Sequence, residues 1–232
     1  MRLTVASYNI HKGVGTDGRR DPARIMAVID ELGADVVALQ EVDQRFGARS
    51  AILSRHLLED HGWQVASVPI KPDALGWHGN AVLVRECIAI GAVETIALPR
   101  IEARGALLAT LRHGETEFAV ASAHLDLSGL ARRWQLRRLC HASRACGHPA
   151  ILMGDFNAWT NRPGRLPGLA NEWQVTQPGP SFPARRPILG LDRIVHSPRF
   201  RLIGTCVHDT VLARIASDHL PICATLELLP DL

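Results

Sequence analysis

Tyr8-Asn9 ends the first apolar run of this 232-residue chain, and Leu39-Gln40-Glu41 ends the second. Ala123-His124-Leu125 closes a run in mid-chain, Gly154-Asp155-Phe156-Asn157 closes another, and Leu191-Asp192-Arg193-Ile194 lies in a later one. Ser217-Asp218-His219 stands just before the last. Each puts a carboxylate, carboxamide or imidazole where a buried strand gives way to a loop, so the pattern predicts strands converging on one polar site at the edge of a sheet. Carboxylate and carboxamide oxygens suit a hard cation such as Mg²⁺, and imidazoles supply acid–base chemistry near neutral pH. The combination reads as a metal-dependent hydrolase.

The elements that must position these groups follow from periodicity. Residues 3–8 and 34–39 read as strands, the second almost wholly apolar. Between them Asp21 can cap a helix with Pro22 in its first turn, and Ile25, Val28, Ile29 and Leu32 form its apolar stripe. A second helix is expected over 48–59, then strands at 63–68, 80–85, 88–98, 106–111 and 117–124. Residues 128–146 form an amphipathic helix, with Leu130, Trp134, Leu139 and Ala142 expected inward and Arg132, Arg133, Arg137 and Arg138 outward. Those arginines suit either nucleic acid or a plain solvated face. A strand at 149–153 precedes a Pro-, Gly- and Arg-rich loop over 162–187 with one short helix near 166–172. Strands at 191–196, 200–207 and 222–228 complete the chain. Hairpin-like strands mixed with separated helices imply an α/β architecture of two packed sheets covered by helices.

Apolar residues make up 47% and charged residues 21%, as in an ordinary globular domain, and the length suffices for one domain over 1–232. The formal net charge of +3 permits a polyanionic substrate without demanding one. Arginine supplies 24 of the 26 basic residues; this is a compositional bias that also favours bidentate phosphate contacts. The five cysteines form no CxxC pair, disulfide framework or zinc-finger spacing, and Cys87, Cys206 and Cys223 are expected as small core fillers. With no signal-peptide pattern and no apolar run long enough to cross a bilayer, the expected setting is a reducing cytoplasm, with no integral membrane segment and no obligate protein partner.

Taken in order, Tyr8-Asn9, Leu39-Gln40-Glu41, Gly79-Asn80-Ala81, Ala123-His124-Leu125, Gly154-Asp155-Phe156-Asn157, Leu191-Asp192 and Ser217-Asp218-His219 resemble the motifs of the endonuclease/exonuclease/phosphatase superfamily. The resemblance spans nearly the whole chain and implies a four-layer α/β/β/α sandwich that hydrolyses phosphoesters with a divalent metal, Mg²⁺ or Mn²⁺ as its substitute. It implies Glu41 as the leading metal ligand, with Asn9 and Asp218 near the same cation. Asp155 would align or deprotonate the attacking water and Asn157 hold a phosphate oxygen. Two residues apart in an extended segment, these side chains would face one way. His219 and Asp192 would form an imidazole–carboxylate pair at the scissile phosphate, the histidine acting as general base or as cationic clamp. His124 matches the second histidine of the DNase and sphingomyelinase branches, whereas AP endonucleases carry a tyrosine motif there. Asn80, Arg104 and His11 are candidates for substrate contact or for support of the site, with a structural role as the alternative. His56, His61, His113, His141, His148, His196 and His208, without ligand spacing, are expected at the surface.

The chain is short for this superfamily, leaving little room for insertions that grip duplex DNA or recognise inositol rings. Asn9-Ile10-His11-Lys12-Gly13 and Ser181-Phe182-Pro183-Ala184 most resemble small bacterial sphingomyelinase-like members. The expected substrate is a phosphodiester: a lipid headgroup or small phosphodiester first, and nucleic acid as the alternative. Aromatic residues are only 5% of the chain and do not interleave with the basic ones as a single-strand stacking platform requires. A catalytically inactive binding protein on the same scaffold is the remote alternative. If the assignment is right, the eight motif side chains gather in one cleft at one end of the sandwich.

Overall fold

The structure is a computed structural model that describes residues 1–99, 105–159 and 166–230. In chain order it runs β1 (Arg2–Asn9), α1 (Pro22–Glu31), β2 (Val36–Gln40), α2 (Arg55–Asp60), β3 (Trp63–Ala66), β4 (Ala81–Arg85), β5 (Ala89–Ala97) and β6 (Gly105–His113). Then come β7 (Thr116–His124), α3 (Gly129–Ala145), β8 (Ala150–Asp155), β9 (Gln174–Val175), β10 (Asp192–His196), β11 (Phe200–Val207), α4 (Val211–Ala216) and β12 (Ile222–Leu228). The strands form two six-stranded sheets, ordered β11-β12-β1-β2-β4-β3 and β5-β6-β7-β8-β10-β9. Both are mixed, for β1–β2 and β7–β8 run parallel while the other neighbours are antiparallel.

Three apolar clusters separate four layers. Leu3, Val5, Val36, Ala38, Phe118, Val120, Ile151, Met153 and Ile194 fill the space between the sheets. Ala6, Tyr8, Val37 and Leu39 pack with Ile25, Val28 and Ile29 of α1, Leu58 of α2 and Ala213 and Ala216 of α4. Ala119, Ala121, Leu152 and Val195 pack with Leu136, Leu139 and Cys140 of α3. This is the expected α/β/β/α sandwich. Alternate strand residues face opposite sides. The residues two positions beyond those in the central layer are Ser7 and then Asn9 on β1, Gln40 on β2, Ser122 and then His124 on β7, Asp155 on β8, and Asp192 on β10. Strand parity therefore aims the chemistry into the mouth between the sheets.

Several expected elements differ. Residues 48–53 are not helical. Arg49 has φ 56°, Ala51 bridges Asp43, and Ser54 starts α2 by accepting from Leu57 N at 3.1 Å. Pro167 and Gly168 (φ 101°) reduce the expected short helix at 166–172 to turns. The six-residue α4, capped by Thr210 accepting from Ala213 N, was too short to show a period. On α3 the buried positions are Gln135, Leu136, Leu139, Cys140 and Ser143, so Leu130 and Trp134 face outward, contrary to expectation. Gln135 fixes that phase by accepting from Asp126 N and donating to Pro99 O. Cys87, in the turn before β5, and Cys206, on the edge strand β11, are exposed, while Cys140 and Cys223 are buried. His196 is buried at the end of β10, where desolvation holds its pKa below the ordinary value.

Candidate active site

Register lines up the central row. His124 of β7 pairs with Asp155 of β8, and Asp155 pairs with Asp192 of β10. In the facing sheet Asn9 of β1 pairs with Gln40 of β2. Gly154 permits the close approach of β7 and β8 below this row, because its φ is 152° and a Cβ there would stand 1.8 Å from the Ala123 carbonyl oxygen. Beneath the row Gln40 donates to Ser122 Oγ at 3.3 Å and accepts from Ser7 Oγ at 3.3 Å, so a buried polar rung joins the two sheets.

Asp155 is the hub. Its Oδ2 accepts from Asn9 Nδ2 at 3.2 Å and lies 3.3 Å from His124 Nε2 and 3.7 Å from His219 Nε2. Its Oδ1 accepts from the Asn157 backbone N–H at 2.9 Å. Asn157 is not extended as expected: it has φ 48°, and its side chain donates to Leu125 O at 2.9 Å. Phe156, fully buried against the α3 layer, anchors this turn.

His219 arrives on the segment between α4 and β12, tied down by Ser217 Oγ donating to Asn9 O at 2.7 Å. Its Nδ1 is 2.9 Å from Asp192 Oδ2, as the motif predicts, and Ser181 Oγ donates to the same oxygen. Phe182 covers the imidazole, ring centroids 4.8 Å apart. Burial opposes the imidazolium, but the charge and hydrogen bond of Asp192, with Asp155 and Asp218 behind it, push the His219 pKa up to about 10. At neutral pH this ring is a cation with Nδ1–H on Asp192 and Nε2–H toward Asp155.

Glu41 sits at the rim. Strand parity would send it toward the helices with Val37 and Leu39; a left-handed backbone (φ 60°) turns it back toward the cleft. Its carboxylate takes the Lys12 ammonium, and its Oε1 lies 4.0 Å from His124 Nδ1. Burial raises its pKa, yet His124, Lys12 and His11 together outweigh that and hold it below the ordinary value. On the other side Asp218 Oδ1 is 3.7 Å from His11 Nδ1, which also bonds Val14 O at 3.0 Å. His11 and Lys12, adjacent in sequence and both at positive φ, are thus held by Asp218 and Glu41 respectively.

Asn80 is buried behind Glu41, its amide donating to Trp77 O, His78 O and Gly105 O, which is a supporting position. Arg104 lies outside the described residues. Sequence reasoning gave no role to Lys12, one of only two lysines in the chain, although Asn9-Ile10-His11-Lys12-Gly13 carried it. Ser181 and the Gln40 rung also escaped notice, for Ser and Gln near strand ends have no distinguishing pattern. His78 was passed over as well. It lines a groove of about 360 Å³ with Lys12, Glu41, Arg45, Phe46, Arg49 and His124.

The donor set fits a hard divalent cation. Glu41 is held in its ionised form, already holds one cationic group and, like Asp218, is only partly buried. Among the described residues no three His, Cys, Asp or Glu side chains close on a common point. Glu41 and Asp218 are the carboxylates that could offer oxygen ligands to such a cation.

Among solved structures the chain is similar to an endonuclease/exonuclease/phosphatase protein from Beutenbergia cavernae, with 26% identity, 98% of this chain and 72% of that one covered, and a TM-score of 0.73. It shares its fold with D. rerio TDP2 complexed with a single-strand DNA product (16% identity, 97% and 99% covered, TM-score 0.75). The human Nocturnin catalytic domain with bound sulfate is a further fold relative (18% identity, 98% and 93% covered, TM-score 0.73). No curated protein matches the sequence significantly. The family model for the Endonuclease/Exonuclease/phosphatase family matches residues 6–219, a span that takes in every motif described above, and the chain belongs to that family.

Proposed function

We propose that this protein is a phosphodiesterase that uses Mg²⁺, with Mn²⁺ as substitute, and that the whole chain acts as one catalytic unit. The observation that carries this reading is the convergence of Asn9, His124 and His219 on Asp155, with Glu41 and Asp218 at the rim. Glu41 and Asp218 would hold the cation, with the Asn9 carboxamide beside them. When bound, it would polarise the phosphate and neutralise its charge. Asp155, oriented by Asn9 and the Asn157 N–H, positions the attacking water and accepts its proton. His219, an imidazolium at neutral pH, serves as the clamp on the phosphate and not as the base. His124 stands on the Glu41 side of Asp155, placed to protonate the leaving oxygen. Asp192 and Ser181 keep His219 charged and correctly turned.

The leading substrate class is a lipid headgroup or other small phosphodiester, in keeping with the sphingomyelinase-like motifs. A nuclease is the second reading. The groove beside Glu41 favours it, since Lys12, Arg45 and Arg49 offer charge and the exposed Phe46 a stacking face. Among the described residues no helix is long and apolar enough to cross a membrane. The five unpaired cysteines support a reducing, cytoplasmic setting. The test is purified protein with Mg²⁺ or Mn²⁺ on bis-p-nitrophenyl phosphate, lysophospholipid, plasmid DNA, single-stranded DNA and RNA, with Asp155→Ala as control. Turnover that depends on Asp155 supports the reading, and none on any phosphodiester overturns it.

A further inference from the structure

The inner face of α3 is committed to the core, and its outer face is exposed. Leu130 and Trp134, one turn apart, form its crest at 68% and 53% exposure, and Leu127, just before the helix, continues the line at 52%. Exposed apolar side chains are ordinary singly; three large ones in one stripe are not. Between 129 and 145 there is no Asp or Glu and there are five arginines. Arg132 turns back onto the Asp126 and Leu127 carbonyls and Arg144 pairs with Glu172. Arg133, Arg137 and Arg138 remain exposed along the crest, and Arg137 lies 5.2 Å over the Trp134 ring.

An apolar ridge carrying an indole, bordered by arginines with no counter-charge on its own helix, has the chemistry of the lipid–water interface. Leu and Trp enter the headgroup–acyl boundary while the guanidinium groups meet lipid phosphates. We propose that the outer face of α3 docks on an anionic phospholipid surface. The charge complementarity of the arginines selects anionic over zwitterionic lipid, each contributing about fivefold to partitioning near such a surface. A nucleic acid would also meet the arginines and could stack on Trp134, but the exposed Leu127 and Leu130 gain from an apolar phase and not from a base. Leu127 lies three residues beyond His124 in the chain. The surface is separate from the hydrolytic machinery, and its test does not depend on turnover.

The full chain is sedimented with phosphatidylcholine vesicles and with vesicles containing phosphatidylglycerol, at low and high salt. Parallel samples carry single-stranded DNA as competitor. The expected result is binding to the anionic vesicles alone, weakened by salt, with Leu130→Ser/Trp134→Ser and Arg133→Ser/Arg137→Ser/Arg138→Ser each reducing partitioning at least about tenfold. Circular dichroism checks that both variants, altered only at exposed positions, keep the native melting curve. Hydrolysis of bis-p-nitrophenyl phosphate is expected unchanged in both. Absence of binding to anionic vesicles, or equal binding by the variants, overturns the proposal. So does DNA binding that displaces the vesicles and depends on the same arginines, which would assign the face to nucleic acid.

Discussion

Replacing Asp192 by Asn tests the electrostatic account of the site most directly. His219 titrates near 6.5 when unfolded and is held at about 10 in the fold. A group whose pKa is raised by folding stabilises the protein fully below its unfolded value. The contribution is then lost as pH climbs through the folded one. At 1.36 kcal/mol per unit, the interval from 6.5 to about 10 corresponds to at most about 5 kcal/mol, fully present below pH 6.5 and gone above about pH 10. Asn keeps the shape and a carbonyl oxygen for His219 Nδ1–H, but it removes the largest of the forces holding the proton, and burial then favours the neutral ring. The variant is expected to be less stable than the parent at pH 6.5, to approach it near pH 10, and to lose most of the alkaline slope. Its turnover should fall by up to about 10⁴-fold, as when the orienting carboxylate of a serine-protease triad is neutralised. The assays are urea unfolding at several pH values, the ¹⁵N shifts of His219, and the pH–rate profile on an activated phosphodiester. Equal alkaline losses of stability in parent and variant, with His219 neutral at pH 7.5 in both, would refute the reasoning.

EDTA should abolish hydrolysis and added Mg²⁺ or Mn²⁺ restore it, because the site offers oxygen donors and no thiolate; full activity in metal-free buffer would end the metal-dependent reading. Glu41→Gln should leave the melting curve near that of the parent but move the Mg²⁺ titration of activity to at least about tenfold higher concentration, since one full charge leaves the cation site; an unchanged titration would place the ligand elsewhere. Asn9→Asp sets a second carboxylate where Nδ2 now lies 3.2 Å from Asp155 Oδ2, so the acid limb of the pH–rate profile should rise by about one unit or more. Gly154→Ala should cost more than about 2 kcal/mol, for its Cβ has no room beside Ala123 O and its φ is 152°; normal stability would mean that the β7–β8 approach is looser than it is drawn.

The central strands and the ends that carry chemistry were legible because their apolar runs are long and each stops at a polar residue with no turn chemistry of its own. Phe200–Val207 and Ile222–Leu228 have the bounds that their patterns predict. What failed had physical reasons. Residues 48–53 carry helix-forming Ala, Ile and Leu, but two successive carbonyl contacts, Ala51 N to Asp73 O and Ile52 N to Val42 O, hold them extended. The inward face of α3 was misplaced because buried Gln135 and Ser143 read as surface residues, and exposed Leu130 and Trp134 as core. Within the site, the spacing of Asp155 and Asn157 predicted a shared direction that the left-handed turn at Asn157 removes. Glu41 shows the converse. Its parity is wrong for the cleft, and only its positive φ, invisible in the sequence, delivers it there.

The two sheets repeat one plan, which explains why the site lies where it does. In each, a parallel pair joined through a helix, β1-α1-β2 or β7-α3-β8, is flanked by the same succession of antiparallel neighbours. Parallel neighbours end on the same side, and open α/β sheets gather their ligands at those carboxyl ends. Here the two carboxyl ends face one another across a single core. Asn9 and His124 close the first strand of each pair, and Gln40 and Asp155 close the second. One half has turned its second strand end, through Glu41, into an acidic rim; the other has made its own the carboxylate hub. At the mouth Asn9 bonds Asp155 across the halves, above the Gln40–Ser122 rung, and Ser217 to Asn9 ties the His219 segment to it. A site at this mouth therefore draws its side chains from both sheets at once, which is why the eight motif residues are spread over nearly the whole length of the chain.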